Sequence, residues 1–211
     1  MYKKLKQFIY KGLIPLIRIW KLLLWNFYLR THKEINLIVG AGPTKFKGWF
    51  ATDIVTLDVT NESNFKKYFR YKKINKILAE HVLEHLTAEE LQLMISNFYK
   101  YSTGNVNIRI AVPDGFHTNE EYINTVKPNG TGEGADDHKH LFTYKSLSEI
   151  FEKFGFIALL KEYWNEKGEF HTIYKNDDLG IVRRSFINDK RNNDNKPNYT
   201  SLIIDFKKKR N

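Results

Sequence analysis

The rhythm of apolar and polar residues changes near residue 33. Residues 1–30, MYKKLKQFIYKGLIPLIRIWKLLLWNFYLR, have a helical period. At about 100° per residue, Lys4, Gln7, Lys11, Arg18 and Lys21 share one narrow stripe, while Phe8, Ile9, Leu13, Leu16, Ile17, Trp20, Leu23, Leu24, Phe27 and Tyr28 lie in the wide apolar remainder. This pattern predicts a basic amphipathic helix, kinked at Pro15 or split at Gly12. From residue 34 short apolar runs alternate with helical stretches, the signature of βαβ units and a mostly parallel sheet. Strands are expected at 35–39, 50–54, 74–79, 106–112, 156–164 and 200–206. Asn61 or Ser63 can cap a short helix within 61–73, and Thr87 with Glu90 forms a capping box for a helix reaching about Tyr101. Thr143 or Ser146 starts a third helix that ends at Gly155.

Two stretches have no clear period. Residues 116–139 are polar and glycine-rich, too long for a plain connection, and read as a functional lid or flexible insert. Residues 165–198 show no convincing helix. The chain therefore divides into a helix over 1–33 and one α/β domain over 34–211.

Composition narrows the partners. Cysteine is absent, which excludes a disulfide framework and any thiolate metal site. The net charge of +10 calls for an anionic neighbour: nucleic acid, an acidic membrane face, or an acidic or phosphorylated substrate. Residues 1–30 contain Lys3, Lys4, Lys6, Lys11, Arg18, Lys21 and Arg30 and no acid. Arg18 and Lys21 interrupt any run of the about 20 apolar residues that a bilayer span requires. The helix is expected to lie in the plane of an anionic membrane surface, with docking on its own domain or on a second subunit as the alternative. The expected location is cytoplasmic, peripheral on the inner face of the cell membrane, and a homo-oligomer is compatible with the pattern.

Candidate chemistry gathers at predicted strand ends. INLIVGAGPTKFKGWFATDI places Gly40, Ala41 and Gly42 after the first strand and Asp53 at the end of the second, where a carboxylate can accept ribose hydroxyls. Asp53 stands eleven positions after Gly42, and Thr44 replaces a third glycine; a dinucleotide fingerprint places its acid about 20 residues on, so that fold is disfavoured. Asp58 follows in LDVT, where it can read an adenine edge. ILAEHVLEH puts Glu80 and His81 at the same sheet edge and Glu84 and His85 one turn further on. The order His-Val-Leu-Glu-His is not the His-Glu-x-x-His of a zinc protease. Asp136, Asp137 and His138 could ligate a divalent ion but read as a solvated loop, so no metal is expected.

Taken in order, LIVGAGPTKFKGWFATDI, ILAEHVLEHLTAEEL, RIAVPDG and DDHKHLFTYKSLSEIFEKFGF resemble the class I S-adenosylmethionine-dependent methyltransferases, and more narrowly a compact bacterial branch associated with surface-polysaccharide biosynthesis. The resemblance spans about residues 34–206. It implies a Rossmann-like seven-stranded mostly parallel sheet with an antiparallel C-terminal hairpin, preceded here by the amphipathic helix. It implies S-adenosyl-L-methionine as cofactor, with Gly40, Ala41 and Gly42 against its methionine part, Asp53 on the ribose, Asp58 and Val59 at the adenine, and Glu80 and His81 facing the sulfonium. Two departures stand out: Ile38 occupies the position where the family carries an acid, and little room is left for a helix after the turn.

Methyl transfer to a hydroxyl requires alignment and a base. His81, Asp114, His117, His138 and His140 lie on predicted loops at the carboxyl edge, with His138 and His81 ranked first. The expected function is O-methylation of a glycan or a phosphorylated, lipid-linked sugar intermediate, with Arg183 and Arg184 suited to an acidic acceptor or else paired with Asp177, Asp178 or Asp189. A catalytically silent methyltransferase-like scaffold at the membrane is the alternative. A nucleic-acid substrate is not expected, because no Asn-Pro-Pro-aromatic motif follows the strand ending in AEHV.

Overall fold

The structure, a computed structural model, describes the backbone of residues 2–210 and the side chains of residues 12–210. Its centre is a seven-stranded sheet: β1 (Asn36–Val39), β2 (Phe50–Ala51), β3 (Ile74–Glu80), β4 (Ser102–Pro113), β5 (Phe156–Trp164), β6 (Phe170–Thr172) and β7 (Ser201–Lys208). The order is β2-β1-β3-β4-β7-β5-β6. β2, β1, β3 and β4 are mutually parallel, and β7 runs antiparallel between β4 and β5, giving the expected C-terminal hairpin. The edge strand β6 lies in the stretch that has no sequence period.

Strand alternation sends side chains to two different cores. Leu37, Val39, Ile77, Ala79, Ile108 and Ile110 meet helices α2 (Glu62–Tyr68), α3 (Ala88–Tyr101) and α5 (Tyr144–Glu152) in the main core. Each helix begins as its sequence predicts. Asn61 caps α2, and Thr87 with Glu90 and Thr143 with Ser146 close capping boxes on α3 and α5. Ile38, Leu78, Ala111 and Ile203 point the other way, into a small core completed by Tyr174 and Val182. No helix follows β1. Phe46 and Trp49 from the β1–β2 loop, together with the irregular segment 173–199, cover this face instead.

Helix α1 (Tyr2–Thr31) is continuous through Gly12 and carries Pro15 inside it, so the expected split at Gly12 is not found. The side chains of Lys4, Gln7, Phe8 and Lys11 lie outside the described residues. Further along, the cationic stripe faces the domain rather than water. Arg18 Nε donates to Val55 O (3.1 Å) and Lys21 Nζ to Ala51 O (3.2 Å). Trp25 and Tyr28 are buried in the main core, with Trp25 Nε1 donating to Tyr68 O (3.0 Å). The apolar residues Leu16, Trp20, Leu23 and Phe27 are left outward, each more than half exposed.

The region read as a lid or insert is ordered around α4 (Glu120–Val126), whose Asn119 side chain caps Glu121 N and Tyr122 N. A short 3-10 turn at Ala135–Asp137 follows.

Candidate functional site

The glycine turn sits at the carboxyl end of β1. Gly40 and Gly42 both adopt left-handed backbone (φ +59° and +50°), which side chains resist. A Cβ on Gly40 would lie 2.4 Å from a Val82 methyl, whereas one on Gly42 would meet open space. Ala41 N donates to Thr52 O, which fastens the turn to the end of β2. One carboxylate oxygen of Asp53, Oδ1, accepts from Val55 N and Thr56 N, and Oδ2 has no hydrogen bond among the described residues. Asp58 is held in the same way, its Oδ1 accepting from Thr60 N and Oγ1. The Val59 side chain is buried in the main core, so only its backbone is available to a ligand. Ile38, where an acid was expected, packs into the small core.

Glu80 departs from its expected place facing a cofactor. It is 9% exposed, its Oε1 accepts from Arg184 N (2.8 Å) and its Oε2 pairs with Arg183 Nε (3.1 Å). A carboxylate taken from water needs such partners. The expected pairing of Arg183 and Arg184 with nearby aspartates is corrected too, since Asp177 serves Arg109, Asp178 serves Lys76 and Asp189 serves Arg191.

A cavity of about 350 Å³ opens at the carboxyl ends of β3 and β4, lined among others by His81, Glu84, His85, His138, Arg184 and Arg191. His81 has left-handed backbone (φ +55°). Ser201 Oγ donates to Arg184 O (2.8 Å), so at 3.1 Å from His81 Nε2 it acts as acceptor, which puts a proton on Nε2. His81 Nδ1 lies 3.0 Å from Glu84 Oε1, off the hydrogen-bond axis. Burial pushes the Glu84 carboxyl up, but His81, the local backbone and His85 together outweigh it and leave it net below the ordinary range. His85 does not pair with His81. It stacks edge-on with His138 at 4.7 Å between ring centres, a partner more than fifty positions away that no local spacing could reveal. His138 Nδ1 lies 2.6 Å from Val126 O, which makes it a donor and leaves Nε2 bare. The Asp136-Asp137-His138 ligand set considered from sequence is not the one assembled. Asp137 pairs instead with Lys139 and with His85, and the residues brought together are Glu84, His85 and His138.

Asp114 is corrected from candidate base to structural anchor. It is fully buried, its oxygens accept from Phe116 N and Trp164 N, and burial raises its pKa to about 6. His117 is likewise enclosed, stacked on Tyr122 and held by Pro197 O and Asn119 N, and burial lowers its pKa to about 4. His140 packs beside Phe142, and its Nε2 is buried without a partner.

No protein-family model matches the sequence, and no curated protein matches it. Among solved structures, a SAM dependent methyltransferase from Archaeoglobus fulgidus aligns over 98% of this chain and 98% of its own at 19% identity, with a TM-score of 0.50. LepI in complex with SAM aligns over 90% of this chain and 40% of its own at 8% identity, with a TM-score of 0.46. A protein described as a pericyclic reaction enzyme aligns over 89% and 39% at 8% identity, with a TM-score of 0.44. The chain thus spans about two fifths of the latter two. The first likeness concerns the fold, and the chain has the Rossmann-like α/β fold of S-adenosylmethionine-dependent methyltransferases.

Proposed function

We propose that the protein is an S-adenosylmethionine-dependent methyltransferase that methylates a hydroxyl of an acidic glycan or phosphorylated sugar, a lipid-linked intermediate of a surface polysaccharide. One observation carries this reading: a left-handed glycine turn and a half-free Asp53 stand at the ends of β1 and β2, next to a histidine- and arginine-lined cavity at the ends of β3 and β4. The open space at Gly42 and the unengaged Oδ2 of Asp53 fit the cofactor. When bound, S-adenosylmethionine supplies an electrophilic methyl group.

The chain's own residues provide position and proton traffic. The Gly40–Gly42 backbone receives the methionine part, Asp53 the ribose, and Asp58 with the Val59 backbone the adenine edge. His138, with its proton committed to Val126 O, offers Nε2 to the acceptor's proton. Arg184 suits an anionic acceptor. Calorimetric titration with S-adenosylmethionine and its demethylated product tests this: micromolar binding is expected, weakened at least about tenfold by Asp53→Ala. No binding at millimolar ligand sinks the enzyme reading and favours the scaffold, to which Ile38 and the occupied Glu80 already point.

The same proposal places the protein on an anionic membrane surface. Gly12–Thr31 is long and apolar enough by composition to cross a bilayer, but Arg18, Lys21, Trp25 and Tyr28 hold it against the domain, so its outward stripe lies in the membrane plane. Deleting residues 1–30 would also remove core residues, so the cleaner probe is Trp20→Glu with Phe27→Glu. Co-sedimentation with phosphatidylserine vesicles is expected to be lost in that variant; wild-type protein that pellets with RNA and not with vesicles overturns the assignment.

A further inference from the structure

We infer that Glu84, His85 and His138 form a binding site for one zinc ion on the wall of the cavity. A ligand atom from each lies within 4.8 Å of the others, close enough for one ion to draw together by side-chain rotation. Glu84 is fully buried, and neither of its oxygens has a hydrogen bond. A buried carboxyl group without hydrogen bonds calls for a partner, which a bound cation would supply. His81 faces one of its oxygens, Oε1, which leaves Oε2 with no partner at all.

Both histidines are prepared as ligands. His138 Nδ1 is committed to Val126 O at 2.6 Å, and His85 Nδ1 lies 3.5 Å from Asp137 Oδ2. In His138 the carbonyl holds the proton on Nδ1 and leaves Nε2 as the bare nitrogen, the carbonyl-backed arrangement of metal-bound imidazoles, and Asp137 stands beside His85 Nδ1, where a small rotation would back that ring in the same way. His81, on the far side of the Glu84 carboxylate, would orient that ligand in turn. Two imidazoles and one carboxylate form a donor set that holds zinc with an open coordination position. All three residues line the cavity, so that position is reached from the space proposed for the acceptor.

Arg184 and Arg191 share the cavity, and their charge opposes a bare cation. Glu84, Glu133 and Asp137 offset it, and Arg191 is already neutralised by Asp189. An acceptor hydroxyl or water on the ion would lose its proton near neutral pH. With the ion bound, Nε2 of His138 would be a ligand rather than the base, and the acceptor's proton would leave to solvent. The ion would also tie the end of β3 to the 127–138 loop, which is otherwise clipped there by Lys139 N donating to Glu84 O (2.6 Å).

The site rests on the geometry of the cavity wall and not on methyl transfer, so it is tested without cofactor or acceptor. Full-length protein stripped with chelator is titrated with Zn²⁺, counted by elemental analysis, and with Co²⁺, followed by its visible absorption. One equivalent per chain is expected, with the intense visible bands of low-coordinate cobalt. Affinity should fall at least tenfold in His85→Ala and in His138→Ala, and severalfold in Asp137→Asn. Thermal melting of the stripped variants checks that they remain folded, and His138→Cys, which restores a ligand, should recover binding if the site is as described. Absence of stoichiometric binding by wild type, or binding unchanged in both folded histidine variants, overturns the inference and leaves the methyltransferase reading to its own titration.

Discussion

The two faces of the sheet are covered in opposite ways. On one, α2, α3 and α5 bury leucine, isoleucine and phenylalanine against β1, β3, β4 and β7, so cohesion is spread over many apolar contacts. On the other, a small apolar cluster is supplemented by buried charge. Arg109 on β4 makes a bidentate pair with its cross-strand neighbour Asp205 and reaches Asp177 and Gly180 O in the irregular 173–199 segment. Glu162, also buried, accepts from Phe186 N and Thr172 Oγ1. Where no helix is available to cover a face, a few directional bonds fasten irregular chain to the strands, and each fastener bears more of the stability than any single apolar contact.

The largest test of that contrast is Arg109→Ala. It strands Asp205 in the interior and is expected to cost about 3–5 kcal/mol, read by denaturant unfolding. Next comes pH. Burial raises the Glu162 pKa to about 8, above the ordinary value of 4.5, so its contribution is complete below about 4.5 and is lost as pH rises through about 8. Stability should fall by up to about 4 kcal/mol between pH 5 and pH 9. Glu162→Gln should flatten that fall; an unchanged slope would place the titration elsewhere. The smallest effect belongs to the helical face: Thr87→Ala removes one half of the α3 capping box and should cost about 1 kcal/mol, with no pH dependence between 5 and 9. Were Arg109→Ala to cost no more than Thr87→Ala, the contrast between the faces would collapse.

The same contrast explains what was legible in advance. The helical face follows local rules. Thr87 with Glu90, Asn61 and Thr143 mark their helices without reference to the rest of the chain, and the strand positions follow from short apolar runs. The glycine turn and Asp53 were equally local. The irregular face was not, because its order comes from partners far apart in sequence: Arg109 with Asp205, Glu80 with Arg183, Lys76 with Asp178. In VNIRIAV Asn107 and Arg109 alternate with apolar residues, yet both are buried, and for Arg109 the burial rests on its long-range pairing with Asp205 and Asp177. The histidines divide likewise. His81 and His138 are candidate bases from sequence and do line one cavity, joined there by His85, whose spacing from His81 fails the zinc-protease pattern, and nothing in HVLEH or DDHKH foretells that His85 and His138 meet. Asp114 and His117 looked catalytic because residue type and loop position suggested exposure, and both are enclosed by α4 and the stretch leading into β7. For α1, the helical wheel separated the cationic stripe from the apolar one except at Tyr28. Which of them meets the domain was settled by Trp25 and Tyr28, whose positions prolong the cationic stripe into the core.

Val82 fills the space that a side chain at Gly40 would need. It also lies between His81 and the turn that presents Glu84 and His85. One side chain therefore backs the glycine turn and begins the turn whose Glu84 and His85 line the cavity. In a close-packed interior a change of its volume is passed on rather than absorbed. If the proposed function holds, shortening or lengthening Val82 should consequently alter donor and acceptor affinities together, which makes this valine a coupling point between the two binding events.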